Sequence, residues 1–384
     1  MIALSASLLY TPTAVVEQPL LLCEEGRIVE IVARTAKPVP AGVRLVDFGD
    51  ATLAPAFIDI HIHGAAGHDV MENDTGSLAA VETLIAHHGV AAYFPTTVTA
   101  SLDCTLAALE RLACAIETPP VRGKSPRARP LGIHLEGPFI SHARRGVHPP
   151  QDLLAPSLAR FERFWQAARG HIKMMTIAPE LGGAAEVIAE AARRGVCVSL
   201  GHSDASLAAT RAGVSAGARH ATHTFNAMRP LDHREPGILG EVLTNPRLSA
   251  DIIADGIHVD PAIVRLFLAA KGTEATVLIS DATAAAGMPD GRYRLGSFDV
   301  EVKDGRCLAD GKLAGSVLTM DRAVRNVMQF AGWELQQALR LATENPARVV
   351  GLPDRGKLEA GCDADIVVLS PSGEVRQTII AGMV

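Results

Sequence analysis

From residue 53 to residue 281 the chain alternates short apolar runs with Ala- and Leu-rich segments of helical period. No other feature of the sequence limits the fold as much. Eight runs are read as strands: 53–62, 90–97, 131–136, 172–178, 196–202, 220–225, 248–254 and 276–281. Between most of them lies a segment whose apolar residues recur at the spacing of a helix face, such as 77–88, 184–194 and 261–270. Repeated β–α units set strands parallel, and eight of them close into a barrel. The expected fold class is α/β, with a (β/α)8 TIM barrel over residues 53–355.

The two ends read differently. Residues 1–52 and 356–384 hold short strand-like runs punctuated by turns, such as Cys23-Glu24-Glu25-Gly26-Arg27. Chain termini often lie close together, so both ends are expected to build one small discontinuous β-sandwich domain. The stretch 291–316 breaks the alternation and is expected to be a β-hairpin inserted after the eighth strand.

Apolar residues make up 48% of the 384, enough for a large core and against long disorder. The net charge is −6 and no long basic run occurs; the densest, 122–129, sits among prolines and reads as a loop. Nucleic acid is therefore not an expected partner. Six scattered cysteines without a CxxC pair point to a reducing compartment, and the cytoplasm is the expected location. The opening MIALSASLLY lacks a basic stretch and runs into strand-like sequence, so it is not read as a signal peptide. No apolar run approaches the roughly 20 residues of a membrane span, so no membrane partner is expected. The chain carries neither a P-loop nor a GxGxxG turn.

Active sites of such barrels sit at the C-terminal ends of the strands. The first predicted strand ends in Asp59-Ile60-His61-Ile62-His63-Gly64. Residues i and i+2 share a strand face, so His61 and His63 point the same way and their imidazoles can share a metal. Glu136 ends the third strand ahead of Gly137-Pro138, His202 the fifth, His223 falls in the sixth and Asp281 ends the eighth. Each alone has a bland reading as a capping or satisfied polar group. Jointly, two histidines and a carboxylate suit Zn2+ or a similar divalent ion with one position open to water, and Asp281 remains as base. His87 and His88 read as surface histidines on a helix, and His134 faces inward two residues before Glu136.

The segments HxHG, HLEGPF, GHS, THTFNAM and SDAT resemble those of the amidohydrolase superfamily. Together with GVH (146–148), HREPG (233–237) and DGIHVDP (255–261), they are similar, more narrowly, to the N-acetylglucosamine-6-phosphate deacetylases. The resemblance covers nearly the whole chain. It implies a principal metal on Glu136, His202 and His223, and a second on His61 and His63 bridged by Glu136. One or two divalent ions per subunit are thus implied, zinc first, with Fe2+, Co2+ or Mn2+ as alternatives. Asp281 becomes the catalytic acid/base, and His148 and His258 contact the sugar or the amide. His148 is placed to steady the developing oxyanion. Asn226 and Ala227 face the phosphate through backbone groups. Arg234 reaches the phosphate from a neighbouring subunit, which implies a homodimer; without the resemblance it reads as a solvated loop arginine.

The implied reaction is hydrolysis of the acetamide of N-acetylglucosamine 6-phosphate, a step of amino sugar metabolism. The alternative substrate is N-acetylgalactosamine 6-phosphate, which differs at one hydroxyl stereocentre. A cyclic amidase or D-aminoacylase of the same superfamily is a further alternative. Cyclic amidases use a carboxylated lysine in the fourth strand, whereas Lys173 lies at the start of that strand. A barrel that has lost its ligands and serves as a scaffold is disfavoured, because every implied ligand is present.

Overall fold

The computed structural model describes residues 1–74, 76–118 and 126–384. Of the arginine-bearing stretch 122–129, residues 122–125 lie outside the described ones, and Arg129–Pro130 is a two-residue strand. Eight parallel barrel strands follow one another: β1 (Phe57–Ile62), β2 (Val90–Thr97), β3 (Ile133–Glu136), β4 (Ile172–Ile177), β5 (Cys197–Leu200), β6 (His220–Ala221), β7 (Ala250–Ile252) and β8 (Thr276–Leu278). Strands β1 to β6 pair in sequence order, and β7 pairs with β8. Backbone bonds from Thr224 N to Asp251 O (2.9 Å) and from Asp281 N to His61 O (2.9 Å) link the two sets and close the barrel.

The helices start where the sequence supplies caps. The Ser101, Ser157 and Ser206 hydroxyls each accept the backbone N–H three residues on. Asp260 caps a helix whose first residue is Pro261. That helix runs to Ala275, past the expected end at 270, with a break at Gly272 (φ 66°).

The run 53–62 serves two sheets rather than one. Thr52–Pro55 pairs with Leu8–Tyr10 and Ile366–Leu369 in an outer sheet, and only Phe57–Ile62 enters the barrel. Both halves are buried on both faces, so hydrophobicity alone does not mark the transfer. The outer sheet has five strands, from Val375–Ile379 to Val15–Glu17; a second, four-stranded sheet holds Ile2–Ser5, Pro19–Glu24, Arg27–Ala33 and Arg44–Asp47. Leu4, Leu21, Leu53, Ile366 and Val368 fill the space between them. Val367 and Leu369 alternate to the other face and join the barrel core. N-terminal and C-terminal strands thus share one β-sandwich.

The expected hairpin at 291–316 is instead a four-stranded antiparallel meander: Gly291–Leu295, Phe298–Lys303, Arg306–Ala309 and Lys312–Leu313. Its strands alternate, and Leu295, Val300, Val302 and Cys307 pack on Val98 and Ala285 of the barrel loops. Such a sheet covers one end of the barrel, beside the strand-end loops. No helix among the described residues is long and apolar enough to cross a membrane. All six cysteines are free thiols.

A candidate metal centre at the barrel mouth

The strands end earlier than their apolar runs. β5, β6 and β8 stop at Leu200, Ala221 and Leu278, short of the expected 202, 225 and 281. The reason lies in the backbone: His202 (φ 46°), His223 (φ 28°) and Asp281 (φ 47°) occupy the left-handed region. Such a residue cannot continue a strand, and each costs about 1–3 kcal/mol that the surroundings must offset. His202, His223 and Asp281 therefore sit on turns just past the strands, whereas His61 belongs to β1 and Glu136 closes β3. After Glu136, Gly137 (φ 72°) turns the chain where any Cβ would collide with the Thr99 hydroxyl.

These turns bring six polar side chains to one point. Glu136 stands at its centre with one oxygen towards each half. Its Oε2 lies 3.4 Å from His61 Nε2 and 3.3 Å from His63 Nε2. Its Oε1 lies 3.2 Å from His202 Nε2 and 3.0 Å from His223 Nε2. Asp281 Oδ1 completes the first half, 3.4 Å from His61 Nε2 and 3.2 Å from His63 Nε2. The two imidazole pairs are themselves 3.2 Å and 3.1 Å apart at Nε2. For bonds of about 2.0–2.1 Å in a tetrahedral site, adjacent ligand atoms lie about 3.3 Å apart. The donor set and its spacing fit a divalent cation in either half.

The outward nitrogens support this orientation. His63 Nδ1–H donates to the Thr96 carbonyl (3.0 Å) and His202 Nδ1–H to the Arg144 carbonyl (2.9 Å). A proton held on Nδ1 leaves the Nε2 lone pair facing the cage. His61 and His223 are buried with no partner on Nδ1 among the described residues.

The charges converge on the same conclusion. Burial opposes charge on Glu136, His63, His223 and Asp281, yet the facing groups outweigh it. The histidines around Glu136 hold its carboxyl well below the usual range. For His223, the Glu136 carboxylate overcomes burial and raises the imidazole to about 9. Asp281 and Glu136 likewise raise His63. Without a cation, protons on His63 and His223 would balance the charge of the two carboxylates; a metal ion would take their place.

Above the cage lies a cavity of about 260 Å³. His63, Glu136, His202, His223 and Asp281 form its floor, and His148, Asn226, Ala227 and His258 its walls. His61 reaches the cage from below and is fully buried. His148 presents Nε2 to the cavity, 3.8 Å from Glu136 Oε2, because the Thr99 N–H donates to its Nδ1 (3.3 Å). Burial, with the charge of His202, pulls His148 down to about 3, so it is neutral with its proton on Nε2. A nitrogen that carries its proton has no lone pair for a metal, which separates His148 from the four cage histidines. Asp255 orients His258 the other way round, its Oδ2 accepting from Nδ1–H at 2.7 Å.

Arg234 does not line this cavity. It is exposed on a loop, in a rim depression with Arg144, Asp204, Arg229 and Glu235. His88, read as a surface histidine, is half-buried and pairs with Asp321 at 3.1 Å, a partner on a remote helix. Lys173 is exposed at the start of β4, away from the cage.

Several residues near the site escaped the sequence reading. Thr99 orients His148, and Leu295 and Leu313 of the meander line the cavity. Asp251 is fully buried in β7, bonding His220 Nε2 at 2.9 Å and accepting the His223 N–H. Asp251 carried a signal, a carboxylate inside the apolar run 248–254. Thr99, a common residue in a loop, carried none.

Comparisons with known proteins agree with this architecture. Residues 52–384 match the model of the amidohydrolase family. The chain is 41% identical over 351 residues to N-acetylglucosamine-6-phosphate deacetylase of Bos taurus, covering 88% of this chain and 84% of that one. It is 39% identical over 371 residues to N-acetylgalactosamine-6-phosphate deacetylase of Escherichia coli O157:H7, covering 94% and 96%. Among solved structures, a mutant N-acetyl-D-glucosamine-6-phosphate deacetylase of Mycobacterium smegmatis in complex with N-acetyl-D-glucosamine 6-phosphate superimposes with a TM-score of 0.92. The two share 36% identity over 99% of this chain and 98% of that one. A β-sandwich built from both chain ends, a parallel barrel and a histidine–carboxylate cage at its mouth thus accompany a sequence match over most of the chain, and the chain belongs to the amidohydrolase family.

Proposed function

We propose that the chain hydrolyses the acetamide of N-acetylglucosamine 6-phosphate to glucosamine 6-phosphate and acetate. The observation that carries this reading is the position of Glu136, one oxygen towards each imidazole pair, beneath a cavity that also receives His148 and Asp281. Likeness to deacetylases of this substrate, over most of the chain, supplies the substrate class.

Glu136, His202 and His223 would hold one divalent ion, and His61, His63 and a bridging Glu136 a second. The bound ion supplies a polarised carbonyl and an acidified water, whose pKa falls to about 7 in favourable sites. Zinc suits the nitrogen and oxygen donors best, while Fe2+, Co2+ and Mn2+ accept the same set. The remaining steps belong to the protein. Asp281 is held as a carboxylate, down to about 2, because the pull of His61 and His63 outweighs burial. It takes the proton of the attacking water at Oδ and returns it to the leaving amine nitrogen. His148 donates its Nε2–H to the carbonyl oxygen as charge develops there. His258 binds the sugar, and Asn226 and Ala227 offer backbone groups to the phosphate. Arg234, exposed and outside the cavity of its own chain, would reach the phosphate across a homodimer interface, where its planar fork matches phosphate oxygens. Free thiols throughout suit a cytoplasmic enzyme.

A second reading rests on the 39% identity to an N-acetylgalactosamine-6-phosphate deacetylase. Cyclic amides are disfavoured, because Lys173 lies outside the cage and Glu136 already sets one oxygen towards each imidazole pair. Acetate release by the metal-loaded protein tests these readings. N-acetylglucosamine 6-phosphate is expected to be preferred over its galacto epimer and over the unphosphorylated sugar. Preference for the epimer would select the second reading, and no acetate from any of the three would overturn both.

A further inference from the structure

His61 poses a problem that the cage does not solve. It is fully buried and its Nδ1 has no hydrogen-bond partner among the described residues, whereas His63 and His202 are each oriented by a carbonyl. Packing must set the angle of its ring. The neighbour in place to do so is His134, whose ring lies 4.6 Å away at 76°, edge against face.

His134 is itself locked from both ends. Its Nδ1 lies 3.1 Å from the Ile60 carbonyl and its Nε2 lies 2.8 Å from the Thr176 hydroxyl. A carbonyl only accepts, so Nδ1 carries the proton and Nε2 accepts from Thr176. Thr176 has one hydroxyl proton, now used, so Thr222 donates to it across 2.7 Å. By the same reasoning Ser199 donates to Thr222 across 2.5 Å. One directed chain, Ser199 to Thr222 to Thr176 to His134 to Ile60, thus crosses the barrel interior beneath the cage. It draws its members from β5, the start of the β6 loop, β4, β3 and β1. All four side chains are fully buried.

We propose that His134 is a positioning residue that sets the ring of His61 towards the cation, with the hydroxyl chain fixing His134 in turn. The proposal rests on the reading of His61 as a metal ligand. It assigns His134 no contact with substrate and no proton transfer.

The test is a double-mutant cycle on Co2+ binding to the full-length apoprotein, measured by chelator competition. His134→Phe keeps a ring and loses both hydrogen bonds; Thr176→Val breaks the bond to Nε2 and the link to Thr222 but leaves the bond to the Ile60 carbonyl. Each is made in the parent and in His61→Ala. Disturbing a group that orients a ligand typically weakens metal binding by about 10–100-fold. His134→Phe is expected to do so in the parent, with Thr176→Val weaker in the same direction, and both are expected to have under about a 2-fold effect when His61 is absent. Equal weakening in both backgrounds would mean general distortion of the barrel and overturn the proposal, as would no weakening in the parent. Should His61→Ala bind no Co2+, the visible spectrum of Co2+-saturated His134→Phe decides: a shifted ligand-field band supports the proposal and an unchanged one overturns it. Should His134→Phe fail to fold, Thr176→Val carries both measurements. Should His61→Ala bind Co2+ as tightly as the parent, His61 is not a ligand, and the underlying metal reading fails together with the proposal.

Discussion

The backbone N–H of Thr99 points at Nδ1 of His148 across 3.3 Å, and the Thr99 hydroxyl sits 2.8 Å from the same nitrogen. Because the N–H can only donate, the bond decides which His148 nitrogen carries the proton, and so what the cavity meets is a donor. Replacing His148 by Ala is expected to lower kcat by about 10²–10³-fold, the usual loss for one oxyanion donor, with little change in KM. Burial holds His148 down to about 3, so it does not titrate near neutrality. The variant's pH–rate profile should keep its shape and lose only height. Loss of a limb near pH 6.5, the ordinary imidazole range, would show that His148 works by proton transfer instead.

Asp281 lies 3.2 Å from His63 Nε2, whereas the carboxylate that faces His202 and His223 is that of Glu136. Asp281→Asn should therefore reduce turnover by at least about 10²–10⁴-fold, the range for a lost general base. Metal at the Glu136, His202 and His223 half should survive. Metal content and acetate release, measured on one preparation, check both parts. Appreciable turnover in the variant would remove Asp281 from the base role.

The two chain ends read as one sandwich, and the barrel was legible as eight β–α units, because apolar period and turn residues report burial directly. The ligands were legible for a related reason. His61, Glu136 and Asp281 are polar residues that close apolar runs, an expensive arrangement unless something pairs with them. What escaped the reading depends on non-local or conformational facts. The left-handed φ of His223 has no mark in a non-glycine residue, so the sixth strand was read four residues too long. The pairing of His88 with Asp321 spans 233 positions. The stretch after Gly291 read as a hairpin, although its alternation extends through two further short strands that only the structure reveals.

Metal removal should make the protein's stability depend on pH in a defined direction. In the empty cage the Glu136 carboxylate raises His223 to about 9, above the ordinary value of about 6.5 in an unfolded chain. The folded form binds the extra proton between those values. Its stabilisation is complete below about pH 6.5 and is lost as pH rises through about 9. The Tm of the apoprotein is expected to fall across that window, and zinc binding at pH 7.5 should release protons. A flat apoprotein Tm from pH 6.5 to 9 would show that His223 is already neutral without metal.

Arg234 is exposed and stands apart from the cavity that holds the other site residues, so its effect must be read through the substrate rather than through folding. Its backbone N–H is tied to Asp232 Oδ1 at 2.8 Å, which shapes the loop and survives truncation of the side chain. Arg234→Ala should leave Tm within about 1 °C, as expected for a surface substitution of under about 0.5 kcal/mol. A lost charge-assisted bond to phosphate is worth about 1.5–3 kcal/mol, a factor of roughly 10–150 in KM for the phosphorylated sugar. The unphosphorylated sugar should be processed as by the parent. Mixing Arg234→Ala with Asp281→Asn distinguishes an arginine supplied by a neighbour from one supplied by the same chain. If the arginine crosses the interface, each mixed dimer has one site that combines an intact Asp281 with its partner's intact Arg234, and parental affinity returns in those sites. If affinity stays at the Arg234→Ala level however the two are mixed, the arginine serves its own chain and the loop must move to reach the cavity.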